Sequence, residues 1–450
     1  MRSLVISALG ALVLASPVFC GEQIQATYRA DLAATIDQKI EQDLGGLVEY
    51  YKDLHRHPEL SLNEHESARK ISERLKAAGY SVTANVGGTG VVGTLANGPG
   101  PTVLIRADMD ALPVVEETNL PYRSKVTATG TDGQTVGVMH ACGHDIHQAC
   151  LIGTARVLAH TRKHWSGTVM LVAQPAEEIG AGARMMIEDG LFERFGRPDY
   201  CVALHASANH PVGTVAYTPG WALANVDSVD ITIYGQGGHG SRPHETIDPV
   251  VAAAQVIVAL QTIVSRRVDP VEHAVITVGS VHAGSKHNII PNEAKMQLTV
   301  RSYSDETRRI LLDGIRDVTV NTCRAMGCTK DPKVVLTKDE FTPATFNDPD
   351  LAEAAAGVFR QVLGHEHVLR IKPVMGGEDF GRYAVHLSVP GFIFWIGAVE
   401  RGLYEASKNP GGPSLPPIHS SKFAPDPEPT IRTGVRCMAS LALSLLEPRQ

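Results

Sequence analysis

The sequence has no strong excess of charge of either sign. Its 450 residues include 41 Lys or Arg and 48 Asp or Glu, which gives a net charge of -7. A charge this mild argues against a general nucleic-acid-binding protein. Beyond the N-terminus we expect no stretch that is apolar enough to span a membrane. The length exceeds that of one typical domain and therefore predicts two.

Cysteine is also sparse, with seven residues in the whole chain. This number argues against a fold built on disulfides, so a core drawn from the 43% of apolar residues must stabilise the protein. Cys323 and Cys328 could pair, or could simply be small buried residues of a helix. We favour the second interpretation, since connectivity cannot be read from spacing alone.

The first twenty residues have the features of a secretory signal. Arg2 precedes the apolar run LVISALGALVLAS, and small residues and a break follow in PVFCGE. The run is too short to span a bilayer comfortably, so residues 1–20 are expected to be a signal peptide cleaved near Cys20. The mature protein would then be periplasmic or secreted, with no membrane association. An uncleaved anchor is the alternative, and Phe19 disfavours lipidation of Cys20.

Helical patterns and short apolar strands alternate through most of the chain. Residues 33–56 have the pattern of an amphipathic helix. Strands separated by helices are typical of a mostly parallel sheet covered on both faces. The predicted fold class is therefore α/β, with a mostly parallel central sheet flanked by helices. This large domain is assigned residues 21–224 and 339–450.

Residues 225–338 have a different pattern. Their strands and helices follow the order β-α-β-β-α-β, which is that of ferredoxin-like domains. Helix, glycine-rich loop and strand patterns resume after this segment. We therefore predict a ferredoxin-like α+β domain inserted into the large domain, where it could act as a lid.

Polar side chains gather at the ends of three predicted strands of the large domain. Because the carboxyl ends of parallel strands form the ligand crevice of such a sheet, these side chains are placed for function. The segment MHACGHDIHQAC, Met139 to Cys150, lies in a loop that leads into a helix. The strand-end residues are Arg106, Asp108 and Asp110 on the first strand, Glu177 and Glu178 on the second, and His205 on the third.

Cysteine, histidine and glutamate side chains are typical zinc ligands. Cys142 and His144 are close enough in sequence to bind the same ion or neighbouring ions. Asp110 is predicted to orient a ligand histidine. Glu177 and Glu178 point in different directions because they are adjacent, so one can hold a metal while the other takes a proton from water.

The helix after this loop contains three further candidate residues. Asp145 is predicted to be its N-cap and to steady the loop. His147 could be a ligand, a cap or merely exposed, and the sequence leaves these alternatives open. Cys150 is expected to pack one face of the helix.

The inserted domain and the C-terminal region add further polar candidates. GQGGHGSRPH places His239 on a glycine-rich loop that could reach the cleft. Asn288 could bind a polar group of a substrate, and Arg301 at a strand end is suited to a carboxylate. VMGGEDFG combines a glycine turn with two acids, and PPIHSSKF contains His419.

Seven motifs together resemble one known family. They are RADMDALP, MHACGHDIH, QPAEE with GAGA, GGHGSRPH, HNIIPNEA, MGGEDFG and IHSSKF. In this order they are similar to the amidohydrolase branch of the dinuclear metallopeptidase family, which includes hippurate hydrolases, N-acyl amino acid deacylases and auxin-conjugate hydrolases. The resemblance covers the chain from about residue 35 to its end.

The resemblance implies roles for individual residues. Two divalent metal ions would be bound, with zinc favoured by the cysteine and manganese, cobalt or nickel as alternatives. Glu177 would be the general base and His239 would stabilise the oxyanion. From the residues themselves, Asp110 is predicted to join these two as a catalytic residue, and Asp108 and Asp145 are predicted to support the site. The implied metal ligands are Cys142 as the bridge, His144, Glu178, His205 and His419, and the implied substrate-binding residues are Asn288, Arg301 and Gly377.

Two segments depart from the family pattern. His205 lies in LHASANHPVG, which is poorer in aromatic residues than the usual segment, and His210 is nearby. The stretch YRSKVTATGTDGQTVGVMH is longer than usual, which predicts an enlarged loop beside the pocket.

The expected function is metal-dependent hydrolysis of the amide bond of small N-acyl or N-aroyl amino acids. A carboxypeptidase or dipeptidase on the same scaffold is the nearest alternative. A thiol hydrolase with Cys142 as nucleophile and a non-catalytic binding protein are the other two. A homodimer is possible, since small lid domains of this kind often carry a dimer contact.

Overall fold

The computed structural model describes residue 24 and residues 26–130, 133–337 and 340–448. The predicted signal peptide and Cys20 lie outside these residues. Eleven α-helices occur in the described part of the chain: α1 Ala33–Arg56, α2 His65–Ala77, α3 His144–His160, α4 Gly182–Glu188, α5 Leu191–Phe195, α6 Pro249–Arg266, α7 Asp305–Ala325, α8 Pro349–Leu363, α9 Gly381–Leu387, α10 Arg401–Ser407 and α11 Pro427–Leu445.

The same residues form twenty strands. They are β1 Ser81–Val86, β2 Gly90–Ala96, β3 Thr102–Asp108, β4 Thr127–Thr129, β5 Thr135–Gly137, β6 Trp165–Ser166, β7 Thr168–Gln174, β8 Tyr200–Pro211, β9 Val215–Tyr217, β10 Gly220–Leu223, β11 Asn225–Tyr234, β12 Gly238–His239, β13 Ala274–Ala283, β14 Ile289–Ile290, β15 Glu293–Ser302, β16 Lys333–Leu336, β17 Thr345–Asn347, β18 Val368–Arg370, β19 Gly391–Val399 and β20 Glu447–Pro448.

An eight-stranded sheet forms the centre of the molecule, in the order β1-β2-β7-β3-β8-β19-β9-β18. The run from β7 through β3 and β8 to β19 is parallel, while β1 pairs with β2 and β2 with β7 in antiparallel fashion. The predicted α/β class with a mainly parallel sheet is confirmed. The β4–β5 hairpin lies in the stretch that was predicted to be an enlarged loop.

Both faces of this sheet are covered. Along β3, Val103 and Ile105 pack into the core beneath α1, α3 and α11, whereas Leu104 between them packs into the core beneath α4 and α9. Successive side chains of a strand point to opposite faces, so a strand buried on both faces needs an unbroken apolar run. This explains why the central strands are continuous apolar segments in the sequence.

A second, four-stranded sheet follows β10, in the order β13-β15-β11-β16 and antiparallel throughout. Helices α6 and α7 pack on it around a separate core that includes Ile231, Val256 and Ile315. Asp248 caps α6 and Ser304 caps α7 through side-chain oxygens. We call residues 225–336 the inserted unit, because the chain afterwards returns to the large sheet with β18 and β19.

Helix α6 differs from the expectation that no stretch beyond the N-terminus is apolar enough to span a membrane. By length and composition alone it is apolar enough to cross a membrane. Its Ala252, Val256, Leu260 and Ile263 are buried against the sheet of the inserted unit. The apolar run therefore has a place in the core of this unit, although other residues of the helix are exposed.

Candidate active site

A cleft of about 680 Å³ lies at the carboxyl edge of β3, β7 and β8. Parallel strands bring their carboxyl ends to one edge, which is where ligands bind in sheets of this kind. The cleft is bounded by the inserted unit on one side and by the loop before α11 on the other. Of the predicted site residues, it is lined by Cys142, Glu177, Glu178, His205, Arg301, Gly377 and His419.

Cys142, His144 and His205 form one candidate metal-binding group. One ligand-type atom of each residue lies within 4.8 Å of the others, and Cys142 Sγ is 3.5 Å from His205 Nε2. Gly143, between the two loop ligands, has the left-handed φ of 82° that turns the chain into α3. The nearby His210 also lines the cleft but is not part of this group.

Cys142 also belongs to a second group, with Glu178 and His419. Glu178 Oε2 lies 3.5 Å from His419 Nε2, and Glu178 Oε1 lies 3.8 Å from His144 Nε2. His419 has a left-handed φ of 65°. Its backbone N–H donates to the carbonyl of Ala141, which ties it to the Cys142 loop. One cysteine shared by two adjacent groups is the arrangement expected for a bridging ligand.

The side chains of these two groups, which we call the donor set, suit divalent metal ions. Their chemistry is that of metal ligands, and some of their buried atoms have no hydrogen-bond partner. Among the described residues, the buried atoms His144 Nε2 and Glu178 Oε1 have no hydrogen-bond partner. Burial and the nearby Glu178 raise the pKa of the Cys142 thiol well above its usual value. Leaving such atoms buried and unpaired is costly, and a cation would satisfy all three. Cysteine, histidine and glutamate together are ligands of zinc-type ions.

Asp110 holds two of these residues in place, His144 through its ring and Glu178 through its backbone N–H. The backbone carbonyl of Asp110 lies 2.9 Å from His144 Nδ1, which leaves Nε2 on the side of the Glu177 and Glu178 carboxylates. Its Oδ2 accepts from the Glu178 N–H at 3.0 Å and from the Ser61 hydroxyl. Asp110 is buried and does not line the cleft. This position suits a residue that orients ligands and differs from the predicted catalytic role, because Asp110 is not placed to touch a substrate.

His147, whose role the sequence left open, uses both ring nitrogens inside the protein. Nδ1 lies 2.6 Å from Asp108 Oδ1, and Nε2 accepts from the Ala206 N–H at 2.7 Å. Burial lowers the pKa of His147 to about 4 despite the opposing effect of Asp108. The ring is therefore neutral, with Nε2 free to accept. His147 links β3 to β8 beside His205, and Asp108 supports the site through it.

The start of α3 differs from the prediction, which made Asp145 the N-cap. Helix α3 begins at His144 with Gly143 as N-cap, and no side chain caps it. Asp145 lies in the first turn, where its carboxylate is 2.7 Å from His55 Nδ1. Burial opposes protonation of His55, but Asp145 and Glu116 outweigh it and raise the pKa of His55 to about 9. The first turn after the metal-binding loop is thus anchored to α1 through a buried ion pair.

Glu177 lies beside the donor set in a cluster of acids. Its carboxylate is 3.9 Å from His144 Nε2 and is grouped within 4.8 Å with Glu378 and Asp379. Burial, Glu378 and Glu178 raise the pKa of Glu177 well above its usual value. A carboxyl with a raised pKa at such a position is suited to accept a proton and to return it.

The sequence did not predict that Arg106 pairs with the acids of this cluster. The fully buried guanidinium of Arg106 pairs with Asp108 at 2.7 Å, with Glu378 at 2.8 Å and with Asp379 at 3.2 Å. Arg106 was noted only as a polar strand end, and the two acids only as part of a glycine turn. Their pairing joins residues 272 positions apart, and no local pattern signals it.

The four remaining predicted residues, Arg301, Gly377, His239 and Asn288, differ in their position relative to the cleft. The Nε–H of Arg301 donates to Thr299 Oγ1, and its guanidinium makes no ion pair within the described residues. A Cβ on Gly377 would lie 2.3 Å from a Val226 methyl, so only glycine allows this approach. His239 is exposed on β12, where its Nδ1 is 2.8 Å from Ser241 Oγ. Neither His239 nor Asn288 lines the cleft.

A paired donor set for two divalent ions, beside a glutamate that can move a proton, is the site of a metal-dependent hydrolase. Comparison with known proteins gives the same class. The model of the family described as "Peptidase family M20/M25/M40" matches residues 104–411. That match spans more than half of the chain, so the chain belongs to this peptidase family and is a metal-dependent amidohydrolase.

Individual relatives cover most of the molecule. The chain is 36% identical over 417 residues to a thermostable carboxypeptidase 2 of Saccharolobus solfataricus, covering 92% of this chain and 98% of the relative. It is 39% identical over 345 residues to the hippurate hydrolase of Campylobacter jejuni, covering 75% and 85%. A solved Bacillus subtilis protein, described as a dinuclear metal binding peptidase of the M20 family, matches at a TM-score of 0.72 with 32% identity, covering 90% and 99%.

Proposed function

We propose that the protein hydrolyses the amide bond of N-acyl or N-aroyl amino acids and releases a carboxylic acid and an amino acid. The observation that carries the proposal is that Glu177 and Arg301 line the same cleft as four of the five proposed metal ligands. A proton-transferring group and a carboxylate-binding group then stand on either side of a small amide. The similarity to a hippurate hydrolase supports this substrate class.

When bound, the two divalent ions would supply Lewis acidity and lower the pKa of a bound water. Cys142, His144, Glu178, His205 and His419 would hold them. Glu177 accepts the proton of the attacking water on its carboxylate and passes it to the leaving amine. The raised pKa of Glu177 supports this role, because the carboxyl holds the proton between the two transfers.

The two halves of the substrate have different neighbours in the cleft. Arg301 offers a guanidinium to the free carboxylate of the amino-acid half, a pairing that is strong because both groups are charged. The acyl half has apolar walls to contact, formed by Leu223, Val226, Ile371, Val374, Trp395 and Ile418. A bulky acyl group is therefore favoured over a charged one.

His239 and Asn288 enter the proposal as groups that must approach the cleft. His239 would stabilise the oxyanion and Asn288 would help to seat the substrate. Both lie on exposed segments of the inserted unit. Closure of the unit as a lid, or a second copy of the chain, would bring them in.

A homodimer through the inserted unit is part of the proposal. Strand β13 is an edge of its sheet, and Val251 and Val258 on α6 are 45% and 67% exposed. Open strand edges and exposed apolar side chains favour contact with another copy. Light scattering of the wild type and of a Val258→Glu variant would test this, with a monomeric variant expected.

Zinc is proposed as the metal, because a cysteine ligand favours it, with manganese, cobalt and nickel as alternatives. Export to the periplasm or medium is proposed from the N-terminal segment alone. Metal analysis of the purified protein and sequencing of its mature N-terminus test these two statements. Recovery of an uncleaved chain in the cytoplasm would contradict export.

A carboxypeptidase is the second candidate function, favoured by similarity to the Saccharolobus relative over nearly the full length of both chains. The chemistry is shared, and the two functions differ in what lies beyond the scissile bond. A panel of N-acetyl and N-benzoyl amino acids, dipeptides and longer peptides, each with and without chelator, separates them. Hydrolysis of the peptides alone would contradict the first proposal.

The thiol hydrolase receives no support from the site. Cys142 is buried, and its raised pKa keeps the sulfur protonated in the absence of a cation. A nucleophilic thiol needs a lowered pKa.

A further inference from the structure

The proposed base Glu177 follows a residue with an unusual backbone. Ala176 has a φ of 52°, a left-handed conformation that costs energy for any residue with a Cβ. Its carbonyl accepts from the N–H groups of Ala181 and Gly182, which closes the turn that carries both glutamates. The direction in which Glu177 leaves β7 therefore depends on keeping Ala176 in this conformation.

A buried carboxylate from a distant segment holds Ala176. Oε1 of Glu64, a fully buried residue at the start of α2, accepts from the Ala176 N–H at 2.8 Å. The same oxygen accepts from the N–H of Leu62 at 2.9 Å, and Leu62 has a left-handed φ of 69°. Oε2 accepts from the Thr89 hydroxyl at 2.6 Å. One oxygen atom thus fixes two strained residues in two separate segments.

The residue on the other side of Glu177 is held in the same way. The N–H of Glu178 donates to Asp110 Oδ2, which also accepts from the hydroxyl of Ser61. Ser61 and Glu64 belong to one short loop that precedes α2. The amides on both sides of Glu177 are therefore tied to buried carboxylates, and this loop takes part in both ties.

We propose that Glu64 is a positioning residue, which fixes the direction of Glu177 by holding Ala176 in its left-handed conformation. Glu64 does not line the cleft, so it acts through the backbone and not on a substrate. Burial raises the pKa of Glu64, and its three hydrogen bonds are the compensation for that burial. The inference rests on the proposed role of Glu177 as the base.

The first test compares two substitutions of Glu64. In Glu64→Gln, the amide oxygen can still accept from Ala176 and Leu62 while the amide nitrogen donates to Thr89 Oγ1. In Glu64→Ala the acceptor is lost, and kcat for an N-benzoyl amino acid should fall by about 100-fold, because a small misplacement of a reacting group has that effect. KM and the metal content should change little. The Gln variant should recover most of the lost kcat.

Thr89→Val is the matched control. It removes the other hydrogen bond to Glu64 and leaves the bond to Ala176 intact. It should lower the melting temperature, as Glu64→Ala does, without lowering kcat. An equal fall of kcat in both variants would overturn the proposal, because stability alone would then explain it.

A backbone rescue addresses the mechanism directly. Glycine adopts a left-handed φ without the penalty that a Cβ imposes, so Ala176→Gly in the Glu64→Ala background should raise kcat by about tenfold. No recovery would contradict the proposal. If Glu64→Ala does not fold, Glu64→Asp takes its place. Its carboxylate is one methylene short of Ala176, and the same loss and rescue are expected.

Hydrogen exchange separates this inference from the proposed function. The Ala176 amide should be protected in the wild type and in Glu64→Gln, and should exchange faster in Glu64→Ala, whatever the enzyme hydrolyses. Unchanged protection in the Ala variant would refute the hold on Ala176. Survival of hydrolysis in Glu177→Gln would instead refute the proposed function while leaving the exchange result standing.

Discussion

His147 Nδ1 lies 2.6 Å from Asp108 Oδ1, and this pair connects the helix after the metal-binding loop to the end of β3. The opposite ring nitrogen accepts from the backbone of Ala206, the residue after His205. Arg106 holds Asp108 from the other side. The proposed ligand His205 is therefore positioned by a chain of buried contacts, and it does not depend on the cleft surface alone.

Substitution of His147 should weaken metal binding without removing a ligand. His147→Ala is expected to lower metal affinity by about 10- to 100-fold, as the loss of a group that orients a ligand usually does. Isothermal titration with zinc measures this. Cys150→Ala, about one turn further along the same helix and buried near Ile431, is the control and should bind as the wild type does. Equal affinities in all three proteins would contradict the assigned role.

Arg301 is expected to act on substrate binding. Arg301→Met should raise KM by about 10- to 100-fold, since a hydrogen bond to a charged group contributes about 1.5–3 kcal/mol, with kcat less affected. Arg308→Met is the control from the same unit, because Arg308 pairs with Asp227 and does not line the cleft. For a substrate whose carboxylate is replaced by an amide, the wild type and Arg301→Met should have the same KM. A persisting difference would place Arg301 elsewhere in the mechanism.

The buried pair of His55 and Asp145 predicts a loss of stability at high pH. The pKa of His55 is raised from 6.5 to about 9, so the folded state favours the protonated ring. Its contribution is complete below about pH 6.5 and is lost as the pH rises through about 9, a change on the order of 3 kcal/mol in the free energy of unfolding.

Urea unfolding between pH 6 and pH 10 tests this prediction. The wild type should lose stability across the window, while His55→Gln, which does not titrate there, should change less. Parallel curves for the two proteins would show that His55 is not charged in the folded state.

Much of the fold was accessible from sequence because its signals are local. Helix α1 was predicted at 33–56 and occupies Ala33–Arg56, since an amphipathic pattern of that length has few competing interpretations. Of the predicted polar strand ends, Glu177, Glu178 and His205 line one cleft, because the topology of a parallel sheet brings strand ends together. The strand-end residues of β3 are buried and do not line it.

Some of the misses depend on contacts between distant parts of the chain. Glu64 and Ala176 are 112 residues apart, and nothing in either segment marks the other. Asp145 was predicted as a cap from its residue type, but the left-handed Gly143 already turns the chain there. His239 lies exposed on β12 of the inserted unit, and its predicted role in the cleft stays a prediction. Sequence indicates which residues have useful chemistry but not how separate units are arranged.

Glu177 is proposed to move the proton while its neighbours hold two metal ions, and Glu177→Gln separates these two roles. Metal content by mass spectrometry and kcat on an N-benzoyl amino acid are measured together on the purified variant. We expect two ions per chain, as in the wild type, with kcat lower by about 100- to 10,000-fold, the usual loss when a general base is removed. A variant that keeps both its ions and its turnover would contradict the proposed role of Glu177.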